Sequence, residues 1–359
     1  MGASGTGKTQ PFYTFFTTEG EETIHATSLG GLLGEDETFK DLFSVHDEED
    51  GVWWLDVTSP SEDEVNVLCK AFGVHPLTRE DINTQESREK VELFKHYYFL
   101  AFRSFDNNKA DKENYLEPIN VYAVVFRTGM LTFSHSTHQH AGNVLRRISK
   151  LRDYMSISAD WMCYALIDDI VDGFMPAIQD IETDVDTIED CVFTSRDEDA
   201  RTVLGRIGEC RKGVMTLLRL LGTKSDVVKG FAKRCNENFS VAPAGDVGIY
   251  LSDIQDHIIT MRDNLSHSEQ LLSRVHTNFL AQINVDNIEG GNRINRLLGK
   301  VTLLATILVP MNIVTGLFGM NVNVPGKDAG GLAWFGGIVG LIATFCVLCI
   351  CAFRYFKLI

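Results

Sequence analysis

Charged residues are absent from two long stretches near the C-terminus. Residues 301–326 include none in 26 positions, and residues 329–353 include none in 25. A transmembrane helix needs about 20 apolar residues, so each stretch is long enough to cross a bilayer. The absence argues against two ordinary soluble domains, which a length of 359 residues would otherwise suggest. We expect an integral membrane protein.

Basic residues are scarce in the rest of the chain. Residues 1–296 carry 29 basic and 48 acidic side chains, a net charge of −19, whereas residues 297–359 carry +3. A strongly acidic soluble part repels the phosphate backbone of nucleic acids, so no nucleic-acid partner is expected. The same charge suits a protein that handles cations.

Paired cysteines are also missing outside the second apolar stretch, where Cys346 and Cys349 show the one CxxC spacing among eight cysteines. A disulfide framework and a zinc ribbon are therefore not expected, and a reducing compartment is favoured. The first 30 residues lack an apolar core flanked by basic residues, so no signal peptide is predicted.

Residues 2–9 fit the phosphate-binding pattern G-x-x-x-x-G-K-[ST], which ends at Lys8 and Thr9. That motif must follow a buried strand and open a helix, yet only Met1 precedes it and Pro11 follows closely. We therefore predict a flexible tail over residues 1–10, no nucleotide cofactor and no enzyme activity. The alternative from a different functional class is a membrane-tethered nucleotide hydrolase.

Residues 11–156 alternate between strand and helix signals, which predicts a cytoplasmic α/β domain with a mixed or antiparallel sheet. A cap at Thr58–Pro60 precedes a helix that Gly73 closes, and a hairpin at Arg127–Gly129 joins the last two strands. The helix is expected over residues 62–72, and the strands over 52–57, 97–102, 119–126 and 130–133.

The remainder of the chain is predicted to be helical. Residues 157–248 suggest an acidic helical hairpin, with one helix from Asp160 to Ile188, a return helix over 200–221 and a loop at 236–248. A helix of about 105 Å then starts near Ile249. It divides into a stalk at 249–296 and transmembrane helix 1 at 297–318, followed by an outer loop at 319–330, transmembrane helix 2 at 331–353 and a basic tail at 354–359.

Basic residues flank the two spans unequally. Five lie on one side and Lys327 alone lies on the other, so both termini are expected in the cytoplasm. Both the plasma membrane and the vacuolar membrane remain open. The five are Arg293, Arg296, Lys300, Arg354 and Lys357.

The tripeptide Gly319-Met320-Asn321 follows the first span, with Gly319 seven residues after Asn312 of the motif Pro310-Met311-Asn312. With segments 56–64, 72–82 and 90–92, these motifs closely resemble the CorA family of divalent-cation channels, above all its fungal Alr/Mnr branch. The resemblance implies a funnel-shaped homopentamer whose first span lines the pore. It also implies that Gly319, Met320 and Asn321 form the selectivity filter, where a glycine at 319 permits a chain reversal.

Small, apolar and amide residues recur along the first span at alternating spacings of three and four residues and form a stripe. This spacing independently favours a parallel bundle of helices, because it keeps one face of each helix toward a common axis. An amide within a membrane is costly unless it has a partner or faces water, so Asn312 is predicted to face the pore. Packing of small residues is the alternative explanation, and Val301 could replace Thr302 in the stripe. The predicted stripe consists of Asn295, Leu298, Thr302, Ala305, Val309, Asn312 and Gly316, with Leu298 and Val309 as hydrophobic constrictions.

Mg²⁺ is the expected transported ion. It keeps several waters when bound, and rings of amide oxygens from Asn312 and Asn321 can accept hydrogen bonds from those waters. A divalent ion crossing about 100 mV gains about 4.6 kcal/mol, so a passive channel needs no ATP. Zinc or another divalent cation on the same fold is the second interpretation.

The resemblance also implies a regulatory Mg²⁺ between subunits, held by Asp81 and Asp253 and favouring the closed state. Glu80 and Asp256 lie beside these positions, and the excess of acid would be relieved by bound cations. The alternative explanation is that these acidic side chains lie on helix faces that are simply solvated and bind no ion. A further cluster, His135, His138 and His140, is predicted to be surface polar residues rather than a metal site.

Overall fold

The computed structural model of the chain describes most of its residues and two compact units, residues 1–277 and 278–359. The described residues are 11–20, 23–33, 38–43, 51–106, 116–151, 154, 156–194, 200–235, 245–320, 322, 324–326 and 331–355.

The first unit contains a seven-stranded sheet in the order β2-β1-β3-β7-β6-β5-β4. All neighbouring strands run antiparallel except β3 and β7, which are parallel, so the mixed alternative predicted for the sheet is confirmed. The strands are β1 Phe12–Thr17, β2 Ile24–Ala26, β3 Trp53–Thr58, β4 Lys90–Leu93, β5 Tyr98–Phe105, β6 Pro118–Val125 and β7 Gly129–Ser134.

Helices cover both faces of the sheet. The second unit is also helical. Helices α2 and α3 share one core with alternate residues of the central strands, and α5 packs against β5, β6 and β7. Burial on both faces explains why the strands are almost continuously apolar. The helices are α1 Phe39–Leu42, α2 Glu62–Ala71, α3 Pro76–Asn83, α4 His140–Leu151, α5 Ala159–Asp172, α6 Phe174–Thr194, α7 Ala200–Gly222, α8 Lys224–Arg234, α9 Gly245–Phe318 and α10 Ala333–Tyr355.

Local signals account for the start and the end of α2. Its N-cap is Ser61, whose hydroxyl accepts from the Glu64 N–H while the Glu64 carboxylate accepts from the Ser61 N–H, a capping box. The predicted cap, Thr58 or Ser59 before Pro60, is therefore two to three residues too early. Gly73 follows the helix with φ of 64°, the left-handed conformation that glycine adopts without strain.

The long helix predicted from Asp160 to Ile188 is two helices, α5 and α6, which meet at Gly173. Pro176 explains the difference, because an uninterrupted helix would need its missing N–H to bond the Asp172 carbonyl. Within the first turn of α6 that N–H is not needed.

Helix α9 begins at Gly245, four residues before the predicted start, and it runs to Phe318 with Pro310 inside it. Its first part buries a stripe at strict 3-4 spacing, which ends at Val275. From there to the end of the helix the side chains are mostly exposed. The buried stripe consists of Leu251, Ile254, Ile258, Met261, Leu265, Ser268, Leu272 and Val275.

A buried ion pair joins α8 to the sheet. The Lys224 ammonium contacts the Glu89 carboxylate and the Arg103 carbonyl oxygen, and it lies 4.0 Å from the ring centroid of Phe102. Glu89 also accepts from the Arg103 N–H at 2.8 Å and from the Thr223 hydroxyl at 2.5 Å. Burial lowers the pKa of Lys224, and the neighbouring carboxylate opposes that shift.

We expect Lys224→Met to destabilise the first unit by about 3–5 kcal/mol, because it leaves the Glu89 carboxylate buried without a counter-charge. Urea unfolding of the full chain in detergent, followed by tryptophan fluorescence, measures this change. Adding Glu89→Gln should recover part of the loss, since the amide oxygen can still accept from the Arg103 N–H while the NH2 group can donate to the Thr223 hydroxyl. Lys229→Met on the exposed side of α8 is the matched control, with an expected effect within about 0.5 kcal/mol. Equal effects of the two lysine variants would contradict this account.

Candidate functional site

The predicted stripe on the second part of α9 is exposed in the isolated chain. All seven members, from Asn295 to Gly316, are exposed, and the two predicted constrictions, Leu298 and Val309, are 57% and 55% exposed. Exposed apolar surface on this scale needs lipid or a partner chain to cover it. Both α10 and the part of α9 up to Phe318 are long and apolar enough to cross a membrane.

Helix α10 covers a different face of α9. The partly covered residues of α9 recur at helical spacing, and Met311 among them has its sulfur 3.6 Å from the Cys346 thiol of α10. At 3.6 residues per turn, this face and the predicted stripe lie on roughly opposite sides of the helix. The stripe is thus left free to meet other copies of the chain or water. The partly covered residues are Leu303, Ile307, Pro310, Met311 and Val314.

Pro310 lies in the middle of the apolar part of α9, two residues before Asn312. A proline there removes one helical hydrogen bond and typically bends the helix. The threonine hydroxyls nearby are satisfied by their own helix: Thr306 donates to the Thr302 carbonyl at 2.8 Å and Thr315 donates to the Met311 carbonyl at 3.0 Å. Asn312 is the amide in this span, and it is exposed on the stripe.

Gly319 and Met320 follow directly after α9, and Asn321 lies outside the described residues. The Gly319 N–H still donates to the Thr315 carbonyl at 2.9 Å, as in a helix. Gly319 does not have the positive φ expected of a chain-reversing glycine; a Cβ there would instead come within 3.1 Å of the Thr315 carbonyl oxygen. Among the described residues between the two apolar helices, the left-handed glycine is Gly326, with φ of 92°.

Asp81, predicted to hold a regulatory cation, already has a basic partner. Lys90 lies 2.7 Å from its carboxylate and 3.0 Å from the carboxylate of Glu92. Burial of the ammonium lowers the pKa of Lys90, but the hydrogen bonds and the attraction to Asp81 and Glu92 together outweigh burial, so the pKa is raised. Three-quarters or more of the Asp81 and Lys90 side chains are covered, so the pair forms a partly enclosed patch at the start of β4.

Asp253 lies on the exposed side of α9, where 73% of its side chain is accessible. The Nε2 atom of His257, one turn later, lies 3.9 Å from its carboxylate. Glu80 and Asp256 are exposed as well. Across the described ranges, no three histidine, cysteine or acidic side chains come together as a metal site. The structure therefore does not bring Asp81 and Asp253 together within one chain.

The histidine cluster is not the polar surface that the sequence suggested. His140 bonds Asp169 through Nδ1 at 2.7 Å and the Ser104 hydroxyl through Nε2 at 2.6 Å, which joins α4, α5 and β5. Both ring nitrogens of His138 are buried without a hydrogen-bond partner among the described residues. Burial lowers the pKa of His138 to about 4. Sequence reasoning missed this network because Ser104 and Asp169 are distant from the histidines along the chain.

The phosphate-binding pattern, with Lys8 and Thr9, lies outside the described residues. So do Lys327 and Asp328 of the outer loop.

Comparison with known sequences identifies relatives over nearly the whole chain. A family model described as CorA-like Mg²⁺ transporter protein matches residues 49–355. A candidate metal ion transporter of Schizosaccharomyces pombe is 55% identical over 331 residues, which are 92% of this chain and 41% of the relative. The magnesium transporter ALR2 of Saccharomyces cerevisiae is 47% identical over 377 residues, 94% of this chain and 43% of the relative. The chain spans about half the length of the curated relatives it matches.

Solved structures show the same fold. The complete CorA magnesium transporter of Methanocaldococcus jannaschii matches with a TM-score of 0.62 and 14% identity, over 96% of this chain and 98% of that one. The full-length CmaX protein matches with a TM-score of 0.64 and 15% identity, over 98% and 99%. The predicted CorA-like fold of one chain, with an α/β domain, a long helix and two apolar C-terminal helices, is confirmed, and so is the fungal branch. With an α/β unit followed by two apolar helices at its C-terminal end, the chain is an integral membrane protein that belongs to the CorA-like Mg²⁺ transporter family.

Proposed function

We propose that the chain forms a passive, homopentameric Mg²⁺ channel in which the exposed stripe of α9 lines the pore. The observation that carries this proposal is the position of Asn312, an exposed amide in the middle of an apolar span, on the face opposite to α10. Burying such an amide in lipid without a partner costs several kcal/mol, whereas a ring of copies around a water-filled axis removes that cost. The family relationship supports the same assignment.

In this proposal residues 297–318 and 331–353 cross the membrane, residues 319–330 form the outer loop, and both termini are cytoplasmic. Gly319, Met320 and Asn321 select the ion, and the amide oxygens of Asn321 and Asn312 accept hydrogen bonds from its retained waters. Leu298 and Val309 close the pore by excluding water. The membrane potential supplies the driving force, since about 100 mV is worth about 4.6 kcal/mol for a divalent ion.

The acidic first unit fits a cytoplasmic cation sensor. With 73% of its side chain accessible, Asp253 is available to a neighbouring copy, and Asp81 sits in a partly enclosed acidic patch with Lys90 and Glu92. A Mg²⁺ ion bridging these two aspartates would relieve repulsion between subunits that carry −19 each over residues 1–296. The sensor then favours the closed state when cytoplasmic Mg²⁺ is high.

Full-length protein in dye-loaded proteoliposomes should take up Mg²⁺ under an inside-negative potential without ATP. We expect Asn321→Ala to slow this uptake about tenfold or more, since each lost 1.4 kcal/mol is a factor of ten. Asn264→Ala, an exposed amide of α9 in the first unit, should leave uptake unchanged. Competition by Co²⁺ and Zn²⁺ measures which divalent ion is preferred. Absence of uptake, even with chelator trapped inside the vesicles to remove inhibiting Mg²⁺, would contradict the channel assignment.

Inhibition by Mg²⁺ on the side of the first unit tests the sensor separately. Asp253→Asn keeps the size of the side chain but removes its charge, and we expect the half-inhibiting Mg²⁺ concentration to rise at least fivefold. Asp263→Asn, an exposed acid on the same helix, is the matched control and should not shift it. An unchanged half-inhibiting concentration in Asp253→Asn would rule out a role of this carboxylate in closure.

A further inference from the structure

A basic cavity opens on the first unit beside the end of α2 and the start of α3. It has a volume of about 470 Å³, a size typical of small-molecule sites, and its lining includes Lys70, Arg79, Lys95 and His96. Among the described residues, no aspartate or glutamate lines it. Three other cavities of the same unit each include at least one acidic side chain. The basic lining therefore stands out on a unit with so large an excess of acid.

The three positively charged side chains of this cavity lack acidic partners. Lys70, Arg79 and Lys95 are exposed, and none of them makes an ion pair with a described residue. Elsewhere in the unit, by contrast, Lys90 and Arg147 are paired with aspartates. Cations that share one cavity repel each other, and a bound anion relieves that repulsion. The cavity thus favours an anionic ligand.

An ordered aromatic wall backs the cavity. Tyr97 is 3% exposed, and its hydroxyl accepts from the His75 N–H at 2.9 Å and bonds the Thr78 hydroxyl at 3.0 Å. The ring of Phe94 stacks on the rings of Tyr97 and His75, with centroids 4.6 Å and 5.5 Å away. These contacts hold the wall in place before any ligand arrives, which lowers the entropic cost of binding.

Side chains, rather than the N-terminus of α3, supply the hydrogen-bond donors. The Leu77 N–H of the first turn already donates to Nδ1 of His75 at 3.2 Å. A neutral ring of His75 therefore carries its proton on Nε2, where it can donate to an anion. Burial raises the pKa of the Cys69 thiol, which also lines the cavity, to about 11, and the positive charge of Arg79 opposes that shift.

We propose that this cavity binds an oligophosphate, a small anion with two or more linked phosphate groups, through Lys70, Arg79 and Lys95. The guanidinium can bind phosphate oxygens in a bidentate manner, and the two ammonium groups add point charges. A phosphate chain spreads its charge over several oxygens, which suits donors from the end of α2, the middle of α3 and the turn after β4. Inorganic tripolyphosphate and the phosphate chain of a nucleotide share this chemistry. The site is distinct from the phosphate-binding pattern of residues 2–9, and it does not depend on the proposed channel.

Calorimetric titration of the full chain in detergent with tripolyphosphate, in the presence of a metal chelator, tests this assignment. We expect Arg79→Ala and Lys95→Ala each to raise the dissociation constant at least fivefold, with Arg79→Lys in between because it keeps the charge but loses the planar fork. Lys229→Ala, which removes an exposed lysine of α8, is the matched control and should stay within twofold. An equal loss in this control would overturn the proposal, because attraction to any basic surface would then explain the binding.

Three further ligands define the chemical class of the anion. Tighter binding of ATP than of tripolyphosphate would identify a nucleotide, whereas equal binding would identify the phosphate chain alone, and both results retain the site. Orthophosphate, with a single phosphate group, and citrate, a tricarboxylate, should bind at least tenfold more weakly. Citrate or orthophosphate bound as tightly as tripolyphosphate would overturn the assignment to an oligophosphate.

Lysine acetylation of the native chain locates the anion without any substitution. With saturating tripolyphosphate, mass spectrometry should show Lys70 and Lys95 acetylated at least fivefold more slowly, while the rate at Lys229 stays unchanged. Protection of Lys8 instead would place the anion at the N-terminal pattern and overturn the cavity as its site. Binding that protects neither Lys70 nor Lys95 would overturn it equally.

Discussion

An asparagine in the middle of an apolar span is the constraint on which the rest of this molecule depends. Asn312 has polar groups that lipid cannot satisfy, and the face of α9 opposite to it is covered by α10. One chain supplies no third helix to shield the amide within the second unit as described. Assembly around a shared aqueous axis resolves this problem for every copy at once. The 3-4 spacing of the stripe keeps its residues on the one face of α9 that such an assembly turns toward the axis.

The first unit also contains polar groups shielded from water, and there they form hydrogen bonds with one another. Trp54 donates to Thr132, and Thr132 donates to Asp56 at 2.5 Å, all within the sheet. Burial raises the pKa of Asp56 to about 6. Because this value lies above that of an unfolded aspartate, the carboxylic acid form favours the fold, and that contribution is lost as the pH rises through about 6. Buried polar groups of this kind rigidify a core when every partner is present.

Sequence patterns predicted the elements with dense local signals and missed those set by tertiary contacts. Strands β3, β5, β6 and β7 are rich in aromatic and β-branched residues, and their bounds agree with prediction within a few residues. Strands β2 and β4 are short, and α8 lies beside β4 with its buried Lys224 paired to Glu89, which no local pattern reveals. The separation of α5 from α6 at Gly173 was readable from Pro176 but was outweighed by the continuing apolar periodicity.

At the candidate site, too, features with a local sequence pattern were predicted and features set by tertiary contacts were missed. The stripe of α9 was predicted from spacing alone, and its exposure away from α10 is consistent with that prediction. The resemblance predicts the chain-reversing glycine at Gly319, yet among the described residues the left-handed glycine is Gly326, because only the packing of Trp334 reveals where the chain turns. The sequence predicts surface positions for the histidines, because their partners, Ser104 and Asp169, come from distant elements.

Substituted-cysteine accessibility along α9 measures which face of this helix meets water. In full-length protein whose α10 cysteines are replaced, single cysteines at positions 302, 305, 309, 312 and 316 are compared with cysteines at 303, 307 and 314 on the face toward α10. We expect a membrane-impermeant methanethiosulfonate in proteoliposomes to modify the first set at least tenfold faster, as measured by mass spectrometry. Equal rates on both faces, or faster modification of the face toward α10, would contradict a water-filled axis along this stripe.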